Sequence, residues 1–309
     1  MPTLWFILVA FMLTMYVLLD GFDLGAGIIH LFAARTDTER RFILRAIGPV
    51  WDGNEVWLIA AGGTLFFTFP LLYASSFSGF YLPLIIVLWL LMGRGVAIEL
   101  RSRIANRVWA SFWDGVFFLG SALLAIFYGA ALGNVIRGVS LNAQGYFFEA
   151  LWTDFNPFSA NPGILDWYTI LTGLLAFTAL LTHGANYIAV KTEGTLNERA
   201  RRIARLGWLI TLPLAILASI ATFFIQPQVL TSFTQRPWGI IFPLIALAGL
   251  LGAGFFNLRK RDMPALLSSG AFILGMLSSA AFSLYPLVLP ATNRANSLTI
   301  NNASASQYG

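Results

Sequence analysis

Four carboxylates, Asp20, Asp23, Asp52 and Glu55, lie within or against strongly apolar sequence near the start of the chain. Two short motifs carry three of them: Gly21-Phe22-Asp23-Leu24-Gly25, and the run Gly48 to Leu58, which reads G-P-V-W-D-G-N-E-V-W-L. An ionised side chain at the centre of a bilayer helix costs about 2.5–3.5 kcal/mol on insertion scales. Acids kept in such places therefore serve a proton or ion path, or pair with a cation. Asp20 and Asp23 are three residues apart, as are Asp52 and Glu55, so each pair shares one helix face.

The elements that must position them follow from composition. The 309 residues are 58% hydrophobic and 11% charged, and the mean hydropathy is +0.74. Soluble domains carry about 25% charged residues, so the chain reads as an all-α, polytopic membrane helical bundle. Apolar runs long enough to cross about 30 Å of hydrocarbon predict eight transmembrane helices. They fall near Leu4–Phe32, Val56–Leu72, Phe77–Ala97, Trp113–Leu132, Leu165–Tyr187, Leu206–Ile225, Ile240–Phe256 and Leu266–Leu287. The first has no small-residue cleavage site and reads as a retained helix. One transmembrane domain covers residues 1–290, and 291–309 form a polar segment expected outside the membrane and mobile. Pro213 lies inside a predicted span, where a local kink is expected.

The net charge of +5 and a pI near 9.7 would raise the question of nucleic acid in a soluble protein. Here the distribution answers it. Sixteen of the nineteen Lys and Arg fall on alternate connections or at their edges, in Arg35–Arg45, Arg94–Arg107, Lys191–Arg205 and Arg259–Arg261. The positive-inside rule makes that side cytoplasmic and places the N-terminus outside. The basic excess is a topology signal, and no nucleic-acid partner is expected. With no cysteine in the chain, disulfides, thiolate metal sites and cysteine nucleophiles are excluded. A P-loop, a dinucleotide fingerprint and a serine-nucleophile motif are also missing from the sequence.

At about 1.5 Å per residue, Asp20 and Asp23 lie roughly 24 to 29 Å from Leu4, in the cytoplasmic third of the bilayer. The second span runs the other way from near Pro49, which puts Asp52 and Glu55 at the same level. Arg94, Glu99, Asp114 and His183 arrive at a similar depth, so a polar mouth open to the cytoplasm is expected. Gly21 and Gly25, four apart, let a neighbouring helix approach closely. The acids admit two readings: boundary charges held by helix dipoles and Arg94, or proton-handling groups. His30 and His183 could ligate haem iron from facing helices, but both fall near the cytoplasmic edge without an apolar pocket signature. Trp51 suits the membrane interface, while Trp57, deeper, could shape a path for a small apolar molecule. The loop Asn134–Pro162, rich in aromatics, is expected at the interface or against a partner.

The run Gly48–Leu58, continued by Ala60-Ala61-Gly62-Gly63, Tyr73-Ala74 and Phe77-Ser78-Gly79-Phe80-Tyr81, resembles subunit II of cytochrome bd-type quinol oxidases, including the cyanide-insensitive members. Thr38-Glu39-Arg40-Arg41, Tyr285-Pro286, Leu289-Pro290 and Asn296-Ser297-Leu298-Thr299 strengthen the resemblance. It implies a heterodimeric respiratory oxidase of the prokaryotic cytoplasmic (inner) membrane that oxidises quinol, reduces dioxygen to water and builds a proton gradient. Subunit I would carry two b-type haems, one d-type haem and the quinol site. This chain would be the haem-free accessory subunit, with no cofactor of its own, in contact with subunit I, lipids, quinone and possible small accessory subunits. The family's proton-path or structural carboxylates map to Asp23 and Asp52, and its oxygen-path tryptophan maps to Trp57. The family pattern has a ninth helix after the Asn-Ser-Leu-Thr region, and this sequence stops short of it. A proton-coupled secondary transporter and a purely structural assembly partner are the alternative readings.

Overall fold

A computed structural model describes residues 1–305. It contains eleven α-helices: α1 (Pro2–Ala33), α2 (Asp37–Ile47), α3 (Trp51–Thr68), α4 (Pro70–Gly79), α5 (Tyr81–Leu100), α6 (Arg107–Arg137), α7 (Trp167–Lys191), α8 (Gly194–Ile225), α9 (Gln228–Gln235), α10 (Ile241–Leu258) and α11 (Asp262–Leu284). A short antiparallel pair, β1 (Leu287–Leu289) and β2 (Leu298–Thr299), follows. Seven helical segments are long and apolar enough to cross a membrane, and the count reaches eight if the bent pair α3–α4 is one span.

That pair departs from the expected straight span over Val56–Leu72 and the next from Phe77. The chain turns by 119° between α3 and α4. Pro70 supplies no backbone N–H and pushes the residue before it out of the helical region. Phe69 accordingly takes φ −132°, ψ 64°. The apolar residues on both sides of the break hide it from hydropathy. In α8 the discrepancy is the opposite, because three polar turns from Gly194 to Arg205 continue the helix beyond its apolar part, and Pro213 does not interrupt it.

α1 is packed against α3, α6, α7 and α11, and α7 against α1, α6, α8 and α11, so these two helices form the axis of the bundle. Their contact depends on glycine. A Cβ built on Gly25 would lie 2.0 Å from the Leu180 carbonyl oxygen, and one on Gly184 would lie 2.3 Å from the Gly25 carbonyl carbon. The close approach expected at Gly25 is therefore present, with α7 as the neighbour. α3 and α5 lie at the margin, α3 mainly on α1 and α5 mainly on α6.

Side-chain ties show which connections share an end. Arg40, Arg101 and His30 meet Asp114, Arg199 pairs with Glu39, and Arg201 pairs with Asp262. These residues belong to the connections that hold most of the basic side chains. A capping box of Thr36 and Glu39 starts α2 at this end. At the opposite end, Val139 bridges to Ala291 and Gln226 donates to the Ile136 carbonyl. Residues 291–305 of the tail, expected to be mobile, are packed there, because Ala291, Leu298, Ile300 and Ala303 are buried with Phe69, Leu72 and Phe147; residues 306–309 lie outside the described residues. Its polar residues, Asn293 and Asn302 among them, hydrogen-bond the tail's own backbone.

Candidate functional site

The buried cluster forms where α1, α3 and α5 meet. Asp20 projects from α1 and accepts a hydrogen bond from the Arg94 Nη2 of α5 at 2.7 Å. Neither side chain has any solvent exposure. The same Nη2 donates to Glu55 of α3, whose side chain keeps 26% of its exposure. Three residues on, Asp23 accepts from Asn54 Nδ2 at 2.8 Å, and Asn54 also reaches the Leu19 carbonyl at 3.3 Å. Asp20 Oδ2, Asp23 Oδ1, Arg94 Nε and Arg94 Nη1 are buried without a hydrogen-bond partner among the described residues. One turn before Asp20, the Tyr16 and Tyr128 hydroxyls meet at 2.7 Å and extend the polar line along α1 toward α6.

Backbone geometry explains the convergence. α1 places Asp20 and Asp23 on adjoining faces, and α3 begins in the opposite sense, so its first two turns bring Asn54 and Glu55 to their level. At the basic end Trp51 lies over Gly95 of α5, whose Cβ would sit 3.4 Å from the indole. Arg94 is thus the polar link between α5 and the α1–α3 pair. A guanidinium suits this place because it stays charged and offers several donors in a fixed fork. One cation faces the carboxyls of Asp20, Glu55 and, one turn on, Asp23.

The expected single mouth divides into separate parts. Asp52 is exposed on the first turn of α3 and accepts from the Gly53 N–H at 2.8 Å. Glu99 is exposed and lies 3.6 Å from Arg103. Asp114 belongs to a second buried cluster: His30 Nε2 stands 2.6 Å from Oδ1, Arg40 donates to Oδ2 at 2.7 Å, and Arg101 binds both oxygens at 2.8 and 3.1 Å. His183 ties three helices, with Nδ1 2.8 Å from Ser269 Oγ and Nε2 3.1 Å from the Leu18 carbonyl. Trp57 is half-buried and meets Phe11 edge-on, with centroids 6.0 Å apart.

These contacts bear on haem. Both ring nitrogens of His183 are engaged, and His30 is fixed by Asp114 and by an edge contact with Phe117 at 5.3 Å. Among the described residues His183 thus keeps no free ring nitrogen, whereas His30 Nδ1 is buried without a hydrogen-bond partner. Asn54, Tyr16, Tyr128, Arg40 and Arg101 complete the two clusters and were not singled out by sequence. Asn54 stands inside the W-D-G-N-E motif, between Asp52 and Glu55, and that adjacency is the signal that could have marked it.

A third buried ion cluster lies at the other end. Arg137 donates to Asn134 Oδ1 and to the Gly163 carbonyl, both at 2.8 Å, and to Glu149 at 3.1 Å, and pairs with Asp166. Asp166 caps α7 through the Tyr168 and Thr169 N–H groups. Burial pushes the Glu149 carboxyl up to about 7, against the pull of Arg137 and the Ser140 N–H. The cluster fastens the loop between α6 and α7.

A profile of the family described as "Cytochrome bd terminal oxidase subunit II" matches residues 1–309. The chain is 34% identical to "Cytochrome bd ubiquinol oxidase subunit 2" of Bacillus subtilis strain 168, covering 99% of this chain and 87% of the relative. It is 32% identical to "Cytochrome bd-I ubiquinol oxidase subunit 2" of Escherichia coli strain K12, covering 98% and 86%. The structure of bd oxidase from Geobacillus thermodenitrificans shares the fold, with TM-score 0.75 at 17% identity over 99% of this chain and 89% of that one. With the whole chain matched, and Asp23 of G-F-D and Glu55 of W-D-G-N-E drawn to one level at the meeting of three helices, the protein belongs to the cytochrome bd terminal oxidase subunit II family.

Proposed function

We propose that the chain is the haem-free accessory subunit of a bd-type quinol oxidase in the prokaryotic cytoplasmic membrane, and that its α1–α3–α5 cluster serves proton movement. Eight spans, with α3–α4 counted as one, and an outside N-terminus fit the sixteen basic residues near one end. Quinol, the b- and d-type haems and dioxygen chemistry belong to subunit I in this reading. Family membership favours it over a secondary transporter.

The observation that carries the proton role is the charge balance. One guanidinium pairs with Asp20 and Glu55 and leaves Asp23 with only the neutral Asn54 amide, and an unpaired buried carboxylate is costly enough that such a cluster exchanges protons or recruits a cation. Protons drawn from the cytoplasm would feed the reduction of dioxygen while quinol releases protons outside. Asp23→Asn, with haem content intact, should slow turnover and proton uptake together. Turnover and uptake equal to the unmodified complex would overturn the role.

A structural reading has its own support, because Arg94 already holds Asp20 and Glu55. It predicts that Asp23→Asn and Asp52→Asn lower haem content and leave the turnover of assembled enzyme unchanged. Trp57, beside Phe11 at the margin of the bundle, is the candidate for lining an oxygen path.

Subunit I is proposed to dock on the outer faces of α3 and α5. Val56, Ile59, Phe67 and Trp89 are exposed there at 56, 73, 71 and 68%. Gly53, Gly62 and Gly63 have nothing within 4 Å of a built Cβ. Glycine inside a helix costs about 0.5–1 kcal/mol, and three in one open helix suit the close approach of another helix. Gly63→Leu should therefore reduce recovery of b- and d-type absorption with the tagged chain by severalfold, and Gly115→Leu should not. Equal recovery would remove this face from consideration.

A further inference from the structure

We propose that the cleft between α8 and α10, at the basic end, binds the phosphodiester of an anionic phospholipid. The cleft measures about 340 Å³ and is lined by Glu198, Arg201, Arg202, Arg205, Asn257 and Lys260. It lies at the level where the polar turns of α8 give way to apolar sequence beginning at Leu206.

Three observations carry the site. First, its charges do not balance internally. Arg201 is taken by Asp262, with bonds of 2.7 and 2.6 Å. Arg202, Arg205 and Lys260 have no acidic partner among the described residues, and Glu198 is the one carboxylate in the lining. Three cations face one acid, and the surplus calls for an anion from outside the chain.

Second, the cleft contains a polar group that the fold leaves unsatisfied. Asn257, on the last turn of α10, is 4% exposed, and its Nδ2 has no hydrogen-bond partner among the described residues. A buried amide donor without an acceptor costs about as much as a lost hydrogen bond. A phosphate oxygen supplies the acceptor, while the arginines and the lysine supply charge-assisted donors around it.

Third, the two helices are fixed against each other one turn beyond the cleft, on the side of the apolar sequence. The Trp208 indole lies against Gly254, where a Cβ would be 2.3 Å from the ring, and its Nε1 donates to the Leu250 carbonyl at 2.7 Å. The ring spaces α8 from α10 at the depth just below the cations. Beside it, Leu206, Leu209, Leu251 and Phe255 are about half exposed on the apolar flanks. A phosphate at the membrane boundary above an apolar surface is the chemistry of a phospholipid headgroup and its chains. Basic pockets between helices on the cytoplasmic side recognise such headgroups.

The test is a lipid titration of the detergent-solubilised, delipidated complex, read by native mass spectrometry. The probes are phosphatidylglycerol, phosphatidylcholine and inorganic phosphate. Phosphatidylglycerol is expected to bind at least about tenfold more tightly than phosphatidylcholine, at roughly fivefold per cation engaged. The variant Arg202→Gln/Arg205→Gln/Lys260→Gln should abolish the difference. Asn257→Leu should weaken phosphatidylglycerol binding without altering surface charge, which diffuse attraction would not do. Equal binding of the two lipids, or unchanged binding by both variants, overturns the proposal. Displacement of phosphatidylglycerol by millimolar inorganic phosphate overturns the lipid assignment and leaves a free-phosphate site. If the triple variant does not assemble, Asn257→Leu and Arg205→Gln decide by the same readings, since Arg205 is exposed.

Discussion

Arg94 donates to Asp20 across 2.7 Å with both side chains fully withdrawn from solvent. Breaking a buried pair by removing one member leaves the other charge uncompensated and typically costs about 3–5 kcal/mol. Arg94→Gln should lower the thermal unfolding temperature of the detergent-solubilised protein accordingly. Arg94→Met with Asp20→Leu and Glu55→Gln should recover most of the loss, because an uncharged replacement of all three groups removes the cost of burying charge as well. A triple variant no more stable than Arg94→Gln would show that the ion cluster is not the source of the loss.

The contact of Gly25 with Gly184 sets a different expectation. A methyl on Gly184 would fall 2.4 Å from Ala26 N and Gly25 Cα, so α1 and α7 must separate by about 1 Å to restore van der Waals distance. Gly184→Ala should destabilise by about 1–3 kcal/mol, as overpacked cores do. Gly62→Ala in the isolated chain meets open space, and helix propensity favours it by up to about 1 kcal/mol. Thermal melts of the two variants should therefore shift in opposite directions.

The apolar runs made the all-helical membrane class legible, and the spacing of Asp20, Asp23 and Glu55 made their common level legible. Other features needed the third dimension. Pro70 sits between Phe69 and Leu71, so a hydropathy window passes over a 119° turn. Asp114 shares a depth with the first cluster, but the rotation of α6 aims it at His30 and Arg101. Depth follows from residue counting, whereas the face a helix presents depends on which neighbours its small residues admit. Asn54 carries no charge and so gives no signal in apolar sequence, although it is the partner that holds Asp23.

Glu149 gives a pH prediction outside the membrane-spanning helices. Arg137 is shared between Asp166 and Glu149, and burial raises the Glu149 carboxyl to about 7 from its ordinary 4.5. A carboxyl raised by folding favours the folded loop when protonated. Its stabilisation is complete below about 4.5 and is lost as pH rises through about 7. Amide exchange in residues 138–150, corrected for intrinsic rates, should show greater protection at pH 5 than at pH 8. Glu149→Gln should flatten that difference, and a profile unchanged by the substitution would exclude Glu149 as the titrating group.

The second buried cluster predicts how the basic end is held together. Asp114 is 1% exposed and receives Arg40 from α2 and Arg101 from the end of α5, with His30 of α1 at 2.6 Å. Arg101 also reaches Asp37 at 2.7 Å, and the Asp114 carboxylate joins four helices through two guanidinium groups and the His30 imidazole. Asp114→Asn keeps the size of the side chain but removes the charge and substitutes a donor where three donors already converge. It should destabilise by about 3–5 kcal/mol and increase protease access to the α2 segment, whereas Asp37→Asn, on a side chain 56% exposed, should have a much smaller effect. The comparison separates a keystone carboxylate from a surface charge, because both acids contact Arg101 and only Asp114 does so out of water.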